Sequence, residues 1–143
     1  MPYTIFIDPA VNCVFTKLAG DFDLDNREQS LEMVLNHPDF KIGMNMLRDA
    51  RDLTYPEEAT FKYISEIAEE KLRKYDESFG NCRWATVVAD ARSYAILHQF
   101  VITGRFNKSK VERKPFRDIE AAKEWLGIPE NYEIKFRSTK ETT

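Results

Sequence analysis

Near the middle of the chain, Arg48-Asp49-Ala50-Arg51-Asp52 places two guanidiniums and two carboxylates in one short stretch. Groups of opposite sign at this spacing can hold a polar ligand, or set a proton donor against an acceptor, if they converge on a pocket. They fall at the C-terminal end of a predicted strand, Asn45 to Ala50, and ligands of open α/β sheets bind beyond that edge. Arg48, Asp49 and Arg51 are therefore the candidate ligand-binding residues. The competing expectation, and the favoured one, is that an aspartate pairs with an arginine and closes a turn, as such ion pairs do at little energetic gain.

The remaining chemistry-bearing residues suggest less. His98 lies in an apolar helical stretch and His37 beside Pro38, and neither has a Cys, Asp or Glu at the spacing of a metal ligand pair. His98 reads as a packed or interface histidine. Between Arg105 and Arg117, six basic residues (Arg105, Lys108, Lys110, Arg113, Lys114, Arg117) face one acid, Glu112. Only Phe106 and Phe116 could stack on bases there, so a solvated basic edge is expected and no nucleic acid partner. Cys13 and Cys82 lie far apart in apolar segments and read as reduced core thiols. There is no C-x-x-C, H-E-x-x-H or G-x-S-x-G sequence, and the five glycines are isolated. No catalytic residue, metal or cofactor is expected.

The elements that position these groups follow from the apolar pattern. With 143 residues, the chain fits one domain, expected over residues 1–136 with a polar tail at 137–143. Hydrophobic residues make up 43%, enough for a core, and a net charge of −3 gives no general pull toward nucleic acid or membrane. No apolar run is long enough to span a bilayer. MPYTIFIDPA lacks a basic segment followed by an apolar one, so no signal peptide is expected and the predicted location is the cytoplasm.

Tyr3 to Asp8 alternates as a strand, with Asn12 to Ala19 as its hairpin partner. Asp25 and Glu28 form an acidic capping box for a helix bearing Leu24, Leu31, Val34 and Leu35 on one face. Thr54 and Glu57 cap a second helix, whose stripe is Phe61, Ile64, Ala68, Leu72 and Tyr75. Trp84 to Ala89 is dense enough for a strand covered on both faces. Asp90 caps a helix from Ala91 to Thr103. A strand from Lys110 then leads to a helix capped by Asp118, stopped by Gly127 and Pro129, with Trp125 as its expected buried anchor. Tyr132 to Phe136 is a possible short strand. The order is β-β-α-β-α-β-α-β-α, which implies an α/β fold with a mixed, mostly parallel sheet and right-handed crossover helices.

The helix Ala91 to Thr103 has more apolar surface than packing on a sheet uses. Set out at 100° per residue, Tyr94, Ile96, Leu97, Phe100, Val101 and Ile102 fill a wide arc that passes His98. These seven residues are the expected interface, and a second copy in a two-fold dimer is the expected cover.

Three segments together carry a family resemblance: Met44-Asn-Met-Leu-Arg-Asp-Ala-Arg-Asp-Leu-Thr54, Arg83-Trp-Ala-Thr-Val-Val-Ala-Asp90, and Val111 to Gly127 ending FRDIEAAKEWLG. In this order they resemble the SpoIIAA-like family, the STAS-like branch of bacterial anti-sigma-factor antagonists, whose fold is also compared with Sec14 lipid-binding proteins. The resemblance implies a mixed sheet wound with helices and a hairpin strand at one end. It also implies a small interaction or regulatory module, with a possible protein partner or apolar small ligand. Phosphorylation-controlled members of the wider family carry an Asp-Ser or Asp-Thr pair at the start of the helix after the third strand. Here the turn is Thr54-Tyr55-Pro56-Glu57-Glu58, so the phosphorylation switch is not expected. The alternative is a small enzyme with a polar pocket around Arg48, Asp49 and Arg51.

Overall fold

The computed structural model describes residues 3–55, 73–106 and 110–134, with residues 73, 100 and 103–106 described by backbone alone. The stripe Phe61, Ile64, Ala68 and Leu72, the Glu57 half of its cap, the basic residue Lys108 and the 137–143 tail lie outside the described residues.

Strands β1 (Tyr3–Asp8) and β2 (Cys13–Asp21) pair antiparallel across a 3-10 turn at Pro9–Val11. The turn closes because Asp8 Oδ1 accepts the Ala10 amide at 2.9 Å and Asn12 takes a left-handed φ of 52°, which asparagine adopts more readily than most residues. Helix α1 (Leu24–Leu35) is capped by Asp23, whose Oδ1 accepts the Asn26 amide at 3.1 Å. The sequence reading put this cap at Asp25. Asp23 has the extended backbone an N-cap requires, while Asp25 sits inside the first turn, where its charge suits the helix dipole.

Then come β3 (Asn45–Thr54), the short helix α2 (Asp76–Phe79), β4 (Cys82–Val87), α3 (Ala91–Phe106), β5 (Val111–Phe116) and α4 (Ile119–Trp125). The sheet order is β1-β2-β3-β4-β5, with β2 to β5 mutually parallel and only β1 reversed. Because each parallel strand is laid down beside its predecessor, right-handed crossovers bring the described connecting helices α1, α2 and α3 to one face.

The packing follows that rule. Val14, Met46 and Trp84 point toward the crossover side and pack with Leu31 and Val34 of α1, Phe79 of α2 and Leu97 of α3. On the other face Cys13, Phe15, Leu47, Ala85 and Val87 meet Ala122 of α4, with Leu126 and Ile128 beyond it. Gly127, at φ 75°, provides the left-handed residue that turns the chain after α4.

Two expectations on this second face are corrected. Trp125 is half-buried rather than a core anchor. It lies under the Arg83 guanidinium, 5.2 Å from ring centroid to cation, and beside Phe116. No strand forms over Tyr132 to Ile134. Tyr132 instead stacks on Phe15 at 5.6 Å and donates its hydroxyl to Asp8 Oδ2 at 2.6 Å, which ties this segment to the hairpin.

Phe15 is fully buried between Phe6 and Tyr132, so Phe15→Ala is expected to cost about 3–5 kcal/mol. Trp125→Ala is expected to cost less, about 2 kcal/mol, since part of its surface stays in water. Urea unfolding of the two variants checks the contrast, and equal losses would contradict the half-buried placement.

Candidate functional site

Side chains alternate along β3. Met46, Arg48 and Ala50 face the crossover helices, while Leu47, Asp49 and Arg51 face α4's side of the sheet. The three candidate ligand-binding residues are thereby separated. Asp49 is buried and engaged by Arg51, whose Nε and second terminal nitrogen each reach a carboxylate oxygen at 2.8 Å. The Arg51 amide adds a third bond at 3.2 Å. Burial pushes the Asp49 pKa up, and the Arg51 hydrogen bonds and charge more than reverse this, leaving it below its ordinary value. Asp52 is exposed and lies 3.9 Å from Lys17.

Beyond the C-terminal ends of β3 and β4 is an open groove of about 490 Å³, lined by Arg51, Asp52, Tyr55, Asp90, Arg92 and Ser93 among others. Of the candidate residues only Arg51 lines it. Asp90 caps α3, accepting the Ser93 amide at 2.7 Å, and that bond above all lowers its pKa. Asp49 and Asp90 are therefore both held ionised, which suits neither to act as a general acid at neutral pH.

Arg48 has different surroundings. In register it lies between Thr16 and Thr86, one step from the Met46–Trp84 pair. It is 9% exposed, and its guanidinium is 6.0 Å from the Trp84 ring centroid. Arg27 enters from α1, 5% exposed, and donates to Ser30 Oγ at 3.3 Å. Arg113 reaches the same region from β5 but is neutralised by Asp76, with two bonds of 2.9 and 2.6 Å.

Burial lowers the pKa of Arg48 to about 10 and holds that of Arg27 well below its ordinary value. The charge of Arg113 adds to this in both, while Tyr55 opposes it. Both guanidiniums remain protonated near neutrality. Tyr55, buried and stacked on Phe22 at 5.3 Å, has its own pKa raised by burial against the pull of Arg48 and Arg27. Among the described residues, neither Arg27 nor Arg48 has a carboxylate partner.

Sequence reasoning missed Arg27, Thr16, Trp84 and the Arg113–Asp76 pair as parts of one cluster. A signal was present. Arg27 is one turn from Leu31 on the apolar stripe of α1, and Arg48 stands between Met46 and Ala50 on the inward side of a strand. Each is an arginine at a position its pattern reserves for the core. The basic stretch is also not a uniform solvated edge: Arg113 is buried in its ion pair, while Lys110, Lys114 and Arg117 are exposed.

His98 is exposed and stacks on Tyr94, ring centroids 6.1 Å apart and nearly parallel at 7°. His37 accepts the Asp39 amide through Nδ1. No group of metal-binding side chains occurs among the described residues. Along α3, Ile96 and Val101 are buried and Leu97 half-buried, whereas Tyr94, His98 and Ile102 face outward. The Phe100 side chain lies outside what is described. No described helix is long and apolar enough to cross a membrane.

No protein-family model matches the chain, and no curated protein matches its sequence. Among solved structures it is similar to an uncharacterized protein from the DUF3478 family with a SpoIIAA-like fold, from Shewanella loihica PV-4. The TM-score is 0.53 at 18% identity, over 87% of this chain and 93% of that one. The chain thus has the SpoIIAA-like fold that its three segments suggested, and at this identity the likeness is one of fold.

Asp76→Ala would take from the buried Arg113 the carboxylate that accepts its two short bonds and is expected to destabilise by about 3 kcal/mol. Arg113→Met in the same chain is expected to recover most of that loss in urea unfolding. For Asp49, the folded pKa lies below the unfolded value of about 3.9. Its stabilisation is therefore present above that pH and lost as pH falls through the lowered value. Asp49→Asn is expected to remove this share of the acid sensitivity, about 1 kcal/mol or less because Arg51 is half in water. Unfolding curves for both chains between about pH 3 and pH 6 check it.

Proposed function

We propose that the chain is a small cytoplasmic interaction module of STAS-like kind, regulatory rather than catalytic, acting as a homodimer through one side of α3. The observation that carries this reading is the row Tyr94, His98 and Ile102, spaced one turn apart and turned outward, with Tyr94 37% and Ile102 39% exposed. The opposite side of the helix, with Ile96 and Val101, already packs within its own subunit.

The outward row is symmetric about His98 and runs about 12 Å along the helix. A two-fold axis near His98 lays Tyr94 of one copy on Ile102 of its mate, and the reverse, which is the self-complementarity an isologous contact needs. Ala91 and Ala95, both exposed beside the row, allow close approach. The enzyme reading needs Arg48, Asp49 and Arg51 in one pocket, and the pleat of β3 speaks against it. The buried thiols fit a reducing compartment: Cys13 and Cys82 lie on opposite faces of the sheet, and burial raises both pKa values, that of Cys82 to about 11.

Wild type is expected to sediment as a dimer, and Ile102→Glu and Tyr94→Glu as monomers with unchanged helix content. A wild type that is monomeric at micromolar concentration would overturn the dimer. The module is also proposed to lack the phosphorylation switch. Thr54 ends β3 and is followed by Tyr55-Pro56-Glu57-Glu58, with no serine or threonine. Incubation with a bacterial kinase extract should leave Thr54 and Thr60 unmodified by mass mapping, and stoichiometric phosphate on Thr54 would contradict the reading.

A further inference from the structure

We propose that the buried pair Arg27 and Arg48 is the binding site of a single oxyanion, a carboxylate or phosphate group, reached from the groove past Tyr55. Among the described residues, the buried atoms Thr16 Oγ1 and Arg48 Nε have no hydrogen-bond partner, and Trp84 Nε1 has at most the weak acceptor Cys82 Sγ. They are not scattered. All three belong to residues on the crossover face of the sheet, with Thr16 and Arg48 paired in register and the Trp84 ring beside the Arg48 guanidinium.

All three can also donate, and two of them can do nothing else. A group that only accepts hydrogen bonds satisfies such a set, whereas a cation or a donor does not. Leaving such donors unmade in the interior is costly, and so is burying a cation without a counter-charge. A bound oxyanion removes both penalties at once.

The charge count agrees. Arg113 is matched by Asp76 through two short bonds, so it adds a neutral wall rather than a free cation. Among the described residues, Arg27 and Arg48 are the surplus. Asp21 and Asp23 line a small pocket beside Arg27, but both are exposed, and Asp23 is engaged as the cap of α1. Tyr55 directly follows β3, the strand of Arg48, and lines the open groove at the ends of β3 and β4, which is the side from which the proposal brings the anion. The site is separate from the outward row of α3, so a monomeric protein leaves it standing.

Isothermal titration of the full chain with sodium phosphate and with sodium octanoate, each against sodium chloride at equal ionic strength, tests the site. Saturable binding of either anion is expected. Phosphate binding more tightly points to a free inorganic or phosphorylated ligand, and octanoate binding more tightly points to the headgroup of an amphiphile. Arg48→Met and Arg27→Met are each expected to weaken binding by about tenfold or more, the loss of one charge-assisted hydrogen bond or two. Arg48→Met should unfold at a urea concentration no lower than wild type, since it removes an uncompensated buried charge. Thr16→Val is a milder third variant, expected to weaken binding if either arginine variant does not fold. No saturable heat with either anion, or unchanged affinity in every variant that folds, overturns the proposal.

Discussion

The constraint on which this structure most depends is the position of β3. It is the middle strand of the five, hydrogen-bonded on both sides and covered on both faces. From Met46 to Ala50 every residue is buried, whichever way it points. A strand in that position has no solvent face to which a charge can turn. Arg48 and Asp49 are consecutive, so the pleat must send one to each side, and each face has to accommodate its own charge. On α4's side the accommodation is local: Arg51, two residues on, points the same way and clamps Asp49 before the strand ends. On the crossover side the described residues around Arg48 supply Thr16, Thr86, Tyr55, the Trp84 indole and further arginines, with the one carboxylate there, Asp76, bonded to Arg113.

That asymmetry extends to the rest of the sheet. Face by face, the second core is closed by aromatic stacking, with Phe6, Phe15 and Tyr132 in succession and Tyr132 tied to Asp8. The first core mixes apolar contacts with charge. Phe79 meets Trp84 edge-on at 4.9 Å, and the Arg113–Asp76 pair lies against the same indole. Trp84 therefore separates a conventional aromatic cluster from the cationic one. Its size and its position on the most buried parallel strand fix the distance between them.

Much of the fold was legible from local signals. The hairpin, the end of α1, and the start and stop of α4 follow from capping residues, a left-handed glycine and apolar spacing, all encoded within a few residues of where they act. The placement of the candidate charges was not legible, because Arg48-Asp49-Ala50-Arg51-Asp52 looks like one cluster in a linear sequence and becomes two only when the strand is covered on both faces. The Asp25-for-Asp23 error has a similar origin: both residues satisfy the composition of a cap, and only the backbone angle at Asp23 distinguishes them. Trp125 reads as core by its helical spacing. Nothing in that spacing says that Lys114, on the preceding strand, and Arg83, from a strand far away in sequence, cover its outer side and leave part of it wet.

Arg27 and Arg48, without a carboxylate partner among the described residues, also bear on how the domain would respond to the proposed anion. Folded domains are stable by only about 5–15 kcal/mol, so buried cations without partners consume a sizeable part of that margin. Any species that binds the folded state and supplies the missing negative charge raises stability by mass action, with no second conformation required. In a fold where Arg48 sits on the central strand and Arg27 on the first crossover helix, that effect would act on the sheet and its cover together. The same two side chains would then couple anion binding to the order of the described crossover helices, including α3, whose inner residues Ile96 and Val101 are buried while Tyr94, His98 and Ile102 stand outward. If the proposed anion site and α3 interface both hold, ligand and interface would in this way be linked through packing alone.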